Sequence, residues 1–144
     1  MAQAMIDARP LPQPDEDSAP YWQGCRDGEL RMQRCKPCGH LRFPPRPMCP
    51  RCQSLASGWV PVSGRGTLYS WVRCHPPLLP AFQQRAPLVV VLVELEEGED
   101  LRLVGNWLGP AEEEIEIGLP VEVVFERVSE EISLPQWQRR APRD

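Results

Sequence analysis

The sequence predicts a mainly β protein: a rubredoxin-like zinc ribbon with a short N-terminal helix, followed by a five-stranded OB-fold barrel. Two C-x-x-C pairs separated by ten residues predict the ribbon. Short alternating strands broken by glycines in the second half of the chain predict the barrel. The 18 prolines in 144 residues favour turns and extended segments over long helices.

The N-terminal part is predicted to be a tail that leads into one short helix. Residues 1–19 are polar and rich in proline, which is typical of an extended segment. Asp17 or Ser18 can cap a helix, Pro20 suits its first turn, and Gly28 can end it.

The two C-x-x-C pairs are Cys35 with Cys38 and Cys49 with Cys52. Each pair can wrap as a tight knuckle, and Gly39 suits the left-handed turn that follows the first. Two knuckles bring four sulfurs into the tetrahedron of a structural Zn²⁺ ion, which has no open position for catalysis. An iron site, a redox pair and disulfides are the alternatives, and reducing cytoplasm weakens the disulfide alternative.

Other residues with ligand or nucleophile chemistry are interpreted as structural. His40 adjoins the first knuckle and is expected at the surface, because four cysteines already complete the site. Cys25 and Cys74 lie outside the spacing and are expected to be ordinary buried thiols. Cys74 and His75 are adjacent, but neighbours in a strand point to opposite faces, so we predict no dyad and no catalytic residue.

The barrel is predicted over residues 58–137, after the helix and ribbon at 20–57 and before a short tail at 138–144. Its first strand follows Trp59 and is interrupted by two glycines in "GRG", as at a barrel corner. The further strands are predicted in "PLVVVLVELEEGED", "LRLVGNWLG", "VEVVFERV" and, as an edge strand, "ISLPQW".

Charge is divided unevenly along the chain. From Arg26 to Arg51 there are seven basic and two acidic residues, and from Glu94 to Glu131 there are thirteen acidic and two basic ones. The ribbon end is therefore expected to attract anions. The preference for arginine over lysine favours forked contacts to phosphate or carboxylate, with GC-rich codon usage as the alternative explanation.

The location predicted from the sequence is cytoplasmic. The chain has no apolar run long enough to cross a membrane. Its N-terminus lacks the basic start and apolar stretch of a secretory signal.

The order of these parts resembles a known family. The matching pieces are "YWQGCRDGEL", "CKPCG", "FPPRPMCPRC", "GRGTLYSW", "APLVVVLVELEEG", "RLVGNW" and "IGLPVEVVFE". Over about residues 20–137 the chain resembles the acyl-CoA-associated proteins of domain-of-unknown-function family thirty-five, which combine a zinc ribbon with an OB fold. Arg46 in "PPR" and Arg65 in "GRG" are features of that family, whereas Trp71 and His75 depart from its usual pattern.

The resemblance implies a non-catalytic accessory subunit of thiolase-fold enzymes, either acyltransferases or thiolase-like retro-aldolases. It implies a hetero-oligomer, and for some members a MaoC-type enoyl-CoA hydratase as partner. The implied task is to help form or channel the partner's acyl-CoA site, for example in degrading the side chains of steroids or similar lipids.

Two segments are predicted to contact the partner or the acyl-CoA. Tyr21 and Trp22 share one face of the helix, and aromatic side chains often dominate interfaces. The proline-stiffened loop at residues 75–87 carries Phe82 and Arg85, and it is either a partner surface or a lid over the barrel. The full set of predicted contact residues is Tyr21, Trp22, Arg46, Arg65, Trp71, His75, Phe82 and Arg85.

An OB barrel can instead bind single-stranded nucleic acid through a basic groove and stacking aromatic side chains. Tyr69, Trp71, Phe82 and Trp107 are the candidate stacking residues, and each could equally belong to the core. The net charge of −4 and the acidic strands oppose a nucleic-acid groove. Nucleic-acid binding is therefore the alternative function.

Overall fold

A computed structural model describes residues 9–141. It contains one α-helix, one 3₁₀ helix (Pro80–Arg85) and two sheets. The elements are α1 (Ala19–Arg26), β1 (Arg31–Cys35), β2 (Leu41–Arg42), β3 (Ser57–Pro61), β4 (Arg65–Cys74), β5 (Leu88–Leu95), β6 (Arg102–Asn106), β7 (Pro120–Arg127) and β8 (Ser133–Arg139). The predicted fold class is confirmed: a mostly β chain with a short N-terminal helix, a ribbon and a nearly closed five-stranded barrel.

The ribbon sheet has the order β2-β1-β3, and both pairings are antiparallel. Its third strand comes from the segment around Trp59, which the sequence assigned to the barrel. Trp59 pairs with Gln33 of β1 instead. Gly64 then redirects the chain into β4 with a φ of 75°, a left-handed conformation that favours glycine.

The barrel sheet has the order β6-β5-β4-β7-β8, with antiparallel neighbours throughout. Gly66 permits close approach of β5, because a Cβ there would lie 2.3 Å from the carbonyl oxygen of Glu94. A shift in register between Leu68 and Ser70 makes Tyr69 the extra residue of a bulge.

The barrel closes where β6 meets β8. Trp107 bridges Trp137 in parallel, and the Leu108 N–H donates to the Trp137 carbonyl at 2.9 Å. The backbone N–H of Asn106 donates to Oε1 of Gln136 at 2.6 Å. Strand β8 was expected at an edge, but the closure buries it and leaves Trp137 with no exposed surface.

Helix α1 joins the two sheets, because it packs against β1, β7 and β8. Tyr21 is buried, and its ring lies 5.0 Å from that of Trp22 and 5.2 Å from that of Phe43. Pro20 lies in the first turn as predicted. Ser18 occupies the cap position but makes no side-chain cap bond, because its hydroxyl instead accepts from the N–H of Asp15 at 3.1 Å.

Part of the predicted tail lies against the barrel. Residues 1–8 and 142–144 fall outside the described residues. Arg9 is buried, and its Nη2 donates to Oε1 of Glu126 on β7 at 2.6 Å. The predicted domain bounds at 1–19, 20–57, 58–137 and 138–144 remain predictions.

Candidate metal centre and its surroundings

The first knuckle is a tight turn that aims two sulfurs at one point. The Cys35 N–H donates to the His40 carbonyl at 2.9 Å, and the Gly39 N–H donates to the Cys35 carbonyl at 2.9 Å. Gly39 has a φ of 75°, as its place after Cys38 predicts.

The second knuckle repeats this geometry without a glycine. The Cys49 N–H donates to the Ser54 carbonyl at 2.9 Å, and the Gln53 N–H donates to the Cys49 carbonyl at 3.0 Å. Gln53 takes the left-handed position with a φ of 61°, and it is the one non-glycine residue within residues 9–141 with a positive φ. The two knuckles are therefore equivalent turns, and the second holds a side chain in a strained conformation.

The four cysteine sulfurs gather in one cluster. All lie within 4.8 Å of one another, with Cys35 3.4 Å from Cys52 and Cys38 3.6 Å from Cys49. Metal–sulfur bonds of about 2.3 Å in a tetrahedron put sulfurs about 3.8 Å apart, so the cluster needs only a small adjustment to hold an ion.

The electrostatics of the cluster favour a thiolate. Hydrogen bonds from backbone N–H groups, that of Cys52 first, lower the pKa of Cys49 to about 6. Thiolates are the form that binds metal. The four cysteines therefore cluster as the sequence predicts, and the donor set fits a metal ion.

The centre has a buried side and an exposed side. Cys35 and Cys49 are fully buried, whereas Cys38 and Cys52 are exposed. His40 is half-buried beside this centre and is absent from the sulfur cluster. Burial, with Arg51 as the next contribution, lowers the pKa of His40 and favours its neutral form.

A clamp that sequence reasoning missed holds the segment between the knuckles. Gln33 and Arg42 are 5 % and 3 % exposed. Oε1 of Gln33 accepts from the Arg46 N–H at 2.8 Å, and Nη2 of Arg42 donates to the Arg46 carbonyl at 2.8 Å. Buried side chains thus fix both backbone groups of Arg46, while its own side chain is exposed. The only sequence signal was a glutamine at an inward position of β1.

The loop between β4 and β5 combines exposed and packed residues. Leu79 is 66 % exposed, whereas Phe82 is half-buried. Arg85 is exposed and lies 4.0 Å from Glu126, which also pairs with Arg9. His75 is exposed at the start of the loop.

The remaining predicted contact residues lie elsewhere. Arg65 is half-buried and pairs with Glu96 at 3.2 Å at one end of β4. Trp71 is half-buried nearer the other end, with the guanidinium of Arg73 5.3 Å from its ring centre. Tyr21 is enclosed within the chain and has little surface left for a partner. The predicted set is thus spread over helix α1, the ribbon, β4 and the β4–β5 loop.

The aromatic candidates for nucleic-acid stacking include both buried and exposed residues. Trp107 is buried, and its Nε1 donates to Glu113 at 3.1 Å. Tyr69 is exposed, but the guanidinium of Arg102 lies 4.1 Å from its ring centre.

Within residues 9–141, no helix has the length and apolar character needed to span a bilayer.

Comparisons with known proteins agree with both halves of the chain. A family model described as "ChsH2, rubredoxin-like zinc ribbon domain" matches residues 22–56, and one described as "ChsH2, C-terminal OB-fold domain" matches residues 59–126. The chain is 40% identical over 136 residues to a "Probable enoyl-CoA hydratase alpha subunit" of Thermomonospora curvata, covering 94% of this chain and 41% of that protein. The chain therefore spans less than half of that relative.

Two further likenesses cover most of the matched protein. A "DUF35 domain-containing scaffold protein" of Methanocaldococcus jannaschii is 37% identical over 100 residues, which are 68% of each chain. The solved structure "Ltp2-ChsH2(DUF35) aldolase" contains a chain that superimposes with a TM-score of 0.81 at 40% identity, covering 90% of this chain and 98% of that one.

Proposed function

The chain belongs to the ChsH2 family of zinc-ribbon and OB-fold proteins, also called DUF35, and from this premise we propose that it is an accessory subunit of an enzyme complex. It docks on a thiolase-fold enzyme and helps to form or channel that enzyme's acyl-CoA site. The observation that carries the proposal is the close likeness, over nearly the whole chain, to a solved ChsH2 chain named as part of an aldolase.

We assign zinc to the four-cysteine cluster. Cys35, Cys38, Cys49 and Cys52 would hold the ion, which supplies folding free energy and leaves no open position for substrate. The residues between the knuckles then form a rigid arm. The hydrogen bonds from Gln33 and Arg42 support this role, because they fix the backbone from which Arg46 projects.

The contact surface on the partner side comprises the Arg46 turn and the β4–β5 loop. The Arg46 guanidinium makes no hydrogen bond or ion pair within residues 9–141. Met48 is half exposed beside it, and Leu79 is exposed on the loop. Exposed arginine and apolar side chains are enriched in protein interfaces.

The bond-making residues belong to the partner in this proposal. The reaction is carbon–carbon bond formation or cleavage on a CoA thioester, with a MaoC-type hydratase as the second candidate partner. The name of the Thermomonospora relative supports the hydratase variant.

Affinity purification of the tagged chain from its native host, followed by mass spectrometry, tests the assembly. We expect a thiolase-fold enzyme at a fixed stoichiometry. The partner is then assayed on a CoA thioester alone, with the wild-type chain, and with the Arg46→Ala and Arg26→Ala variants. Activity that rises with the wild-type and Arg26→Ala chains but less with Arg46→Ala supports the proposal. A partner that is equally active alone, or catalysis by the chain by itself, contradicts it.

A further inference from the structure

Two cations on β1 and directly after it have no partner. Arg34 and Lys36 are exposed, and neither side chain makes a hydrogen bond or ion pair within residues 9–141. Other cations of the ribbon, in contrast, have side-chain partners. Arg31 and Arg51 form ion pairs with acidic side chains, and buried Arg42 donates to a side-chain amide. Arg34 and Lys36 therefore present free positive charge.

The strand geometry places these two charges on one face. Residues two apart in a strand point the same way. The strand pairing continues past Cys35, because the Lys36 N–H donates to the Ala56 carbonyl at 3.0 Å. The two side chains lean towards different neighbours of β1, Arg34 towards the turn at Gly39 and Lys36 towards Gly58 on β3. Nη2 of Arg34 lies 3.6 Å from the point where a Cβ on Gly39 would be. Cε of Lys36 lies 3.8 Å from the point where a Cβ on Gly58 would be.

Glycine keeps the space between the two charges open. Gly58 pairs with Arg34 across the sheet and contributes no side chain. A cavity of about 300 Å³ lies here, at the lower end of the usual range for small-molecule sites. Its lining residues are Arg34, Cys35, Lys36, Gly58, Trp59 and Val60.

The charge of this cavity suits an anion. Its lining contains two cations and no carboxylate. The larger cleft of about 450 Å³ between the first knuckle and the β5–β6 turn is different, because Glu97, Glu99 and Asp100 line it. An anion that binds the ribbon end is therefore expected in the cavity between β1 and β3, which we call the groove.

We propose that the groove of Arg34, Lys36 and Gly58 binds the phosphorylated adenosine end of an acyl-CoA. Arg34 and Lys36 contact phosphate oxygens, and Val60, which shares the face of Gly58 on β3, provides the apolar wall. Coenzyme A carries a diphosphate and a 3′-phosphate, so two cations that line one groove suit it without the long basic track that nucleic acid needs. The inference rests on the proposed function, which brings an acyl-CoA to this chain.

Another role for the same cations is to offset the charge of the metal centre. Four thiolates around one divalent ion carry a net charge of about −2, and Arg34 and Lys36 flank one of those thiolates. If this were their only role, neutralising them would weaken metal retention and leave nucleotide affinity unchanged. Metal content and ligand affinity must therefore be measured on the same variants.

The test uses the full chain in its metal-loaded form and calorimetric titration at low salt. The probes are coenzyme A, adenosine 3′,5′-bisphosphate, pantetheine and inorganic phosphate. We expect the first two to bind and the last two to bind far more weakly. Arg34→Ala and Lys36→Ala should each lower the affinity about tenfold. Gly58→Val should abolish binding and keep the fold, because valine suits a strand and fills the groove. Arg26→Ala is the matched control and should bind as the wild type does.

Several results overturn the inference. These are no binding of coenzyme A, unchanged affinity in Lys36→Ala and Gly58→Val, pantetheine binding as well as coenzyme A, or phosphate competing as well as the bisphosphate. Preferential binding of a single-stranded oligonucleotide also overturns it. Suppose that the partner needs the chain for activity but the chain binds no coenzyme A. That result removes this inference and leaves the proposed function standing. If the chain binds coenzyme A but no partner enzyme is found, the groove assignment stands and the proposed function is wrong.

Discussion

Nε of Arg42 donates to Oε1 of Gln33 at 2.9 Å inside the ribbon, and no carboxylate within residues 9–141 pairs with this buried guanidinium. Nη1 of Arg42 is buried with no hydrogen-bond partner. Burying a charge in this way is unfavourable. What the arrangement achieves is a fixed backbone at Arg46, so we attribute it to positioning of that residue rather than to stability.

The clamp predicts an unequal effect of removing its two members. Arg42→Met removes a buried charge and should change the free energy of unfolding by less than about 1 kcal/mol, whereas Gln33→Met leaves the guanidinium without its acceptor and should cost about 3 kcal/mol. Urea unfolding of the metal-loaded protein measures both. Amide exchange at Arg46 should rise in both variants. If Arg42→Met were as destabilising as Gln33→Met, the positioning role would be wrong.

The metal centre predicts that one cysteine substitution releases the ion. Cys49→Ser should lose stoichiometric zinc and much of the stability of the ribbon, because structural zinc supplies on the order of 10 kcal/mol in small domains. Metal analysis and thermal unfolding report the two effects. Cys74→Ser, which lies outside the cluster, is the control and should retain one ion per chain. Full zinc content in Cys49→Ser would remove the four-cysteine assignment.

The sequence was a good guide wherever the signal was local. Each knuckle is specified by residues within one turn, and so is the left-handed position of Gly39. Strand β5 was equally visible, because it is an almost continuous apolar run that ends in an acidic turn.

Features that depend on register across strands were not accessible in this way. Trp59 joins the ribbon sheet because it pairs with Gln33, and Trp137 is buried because β8 meets the end of β6. The clamp on Arg46 needs three segments at once. A pairing partner is not written in either strand alone, and a slip of one residue would exchange the two faces.

The second knuckle predicts a stabilising substitution. Gln53 has a φ of 61°, which costs a residue with a side chain about 1 kcal/mol relative to glycine. Gln53→Gly should therefore raise the stability of the metal-loaded protein by up to about 1 kcal/mol. Gly39→Ala at the equivalent turn should lower it by a similar amount. Chemical unfolding measures the change in the free energy of unfolding for both variants. Changes of the same sign would contradict the prediction.

The barrel closure predicts that Gly105 tolerates no methyl group. A Cβ there would lie 2.7 Å from Cδ1 of Trp137 and 2.9 Å from the carbonyl oxygen of Pro135. Gly105→Ala should cost about 1–3 kcal/mol by overpacking. Gly98→Ala is the matched control, since its nearest contact would be an ordinary 3.6 Å to Leu101. Equal melting temperatures of the two variants would contradict the close packing at the closure.

Burial of Cys25 predicts how stability changes at alkaline pH. Burial raises the pKa of this thiol from its ordinary value of 9.0 to about 12. The folded state therefore keeps a proton that the unfolded state releases above pH 9, and stability should fall as pH rises from about 9 towards 12. The neighbouring Tyr21, whose pKa burial also raises, adds to the fall above its ordinary value of 10.0.

Cys25→Ala separates the contribution of the thiol. The variant should be somewhat less stable than the wild type at pH 7.5 because it loses a packed side chain. Its free energy of unfolding should then fall less steeply between pH 8.5 and 10.5, since only Tyr21 still titrates in that core. Parallel curves for the wild type and Cys25→Ala would show that the thiol ionises as readily in the folded chain as in the unfolded one.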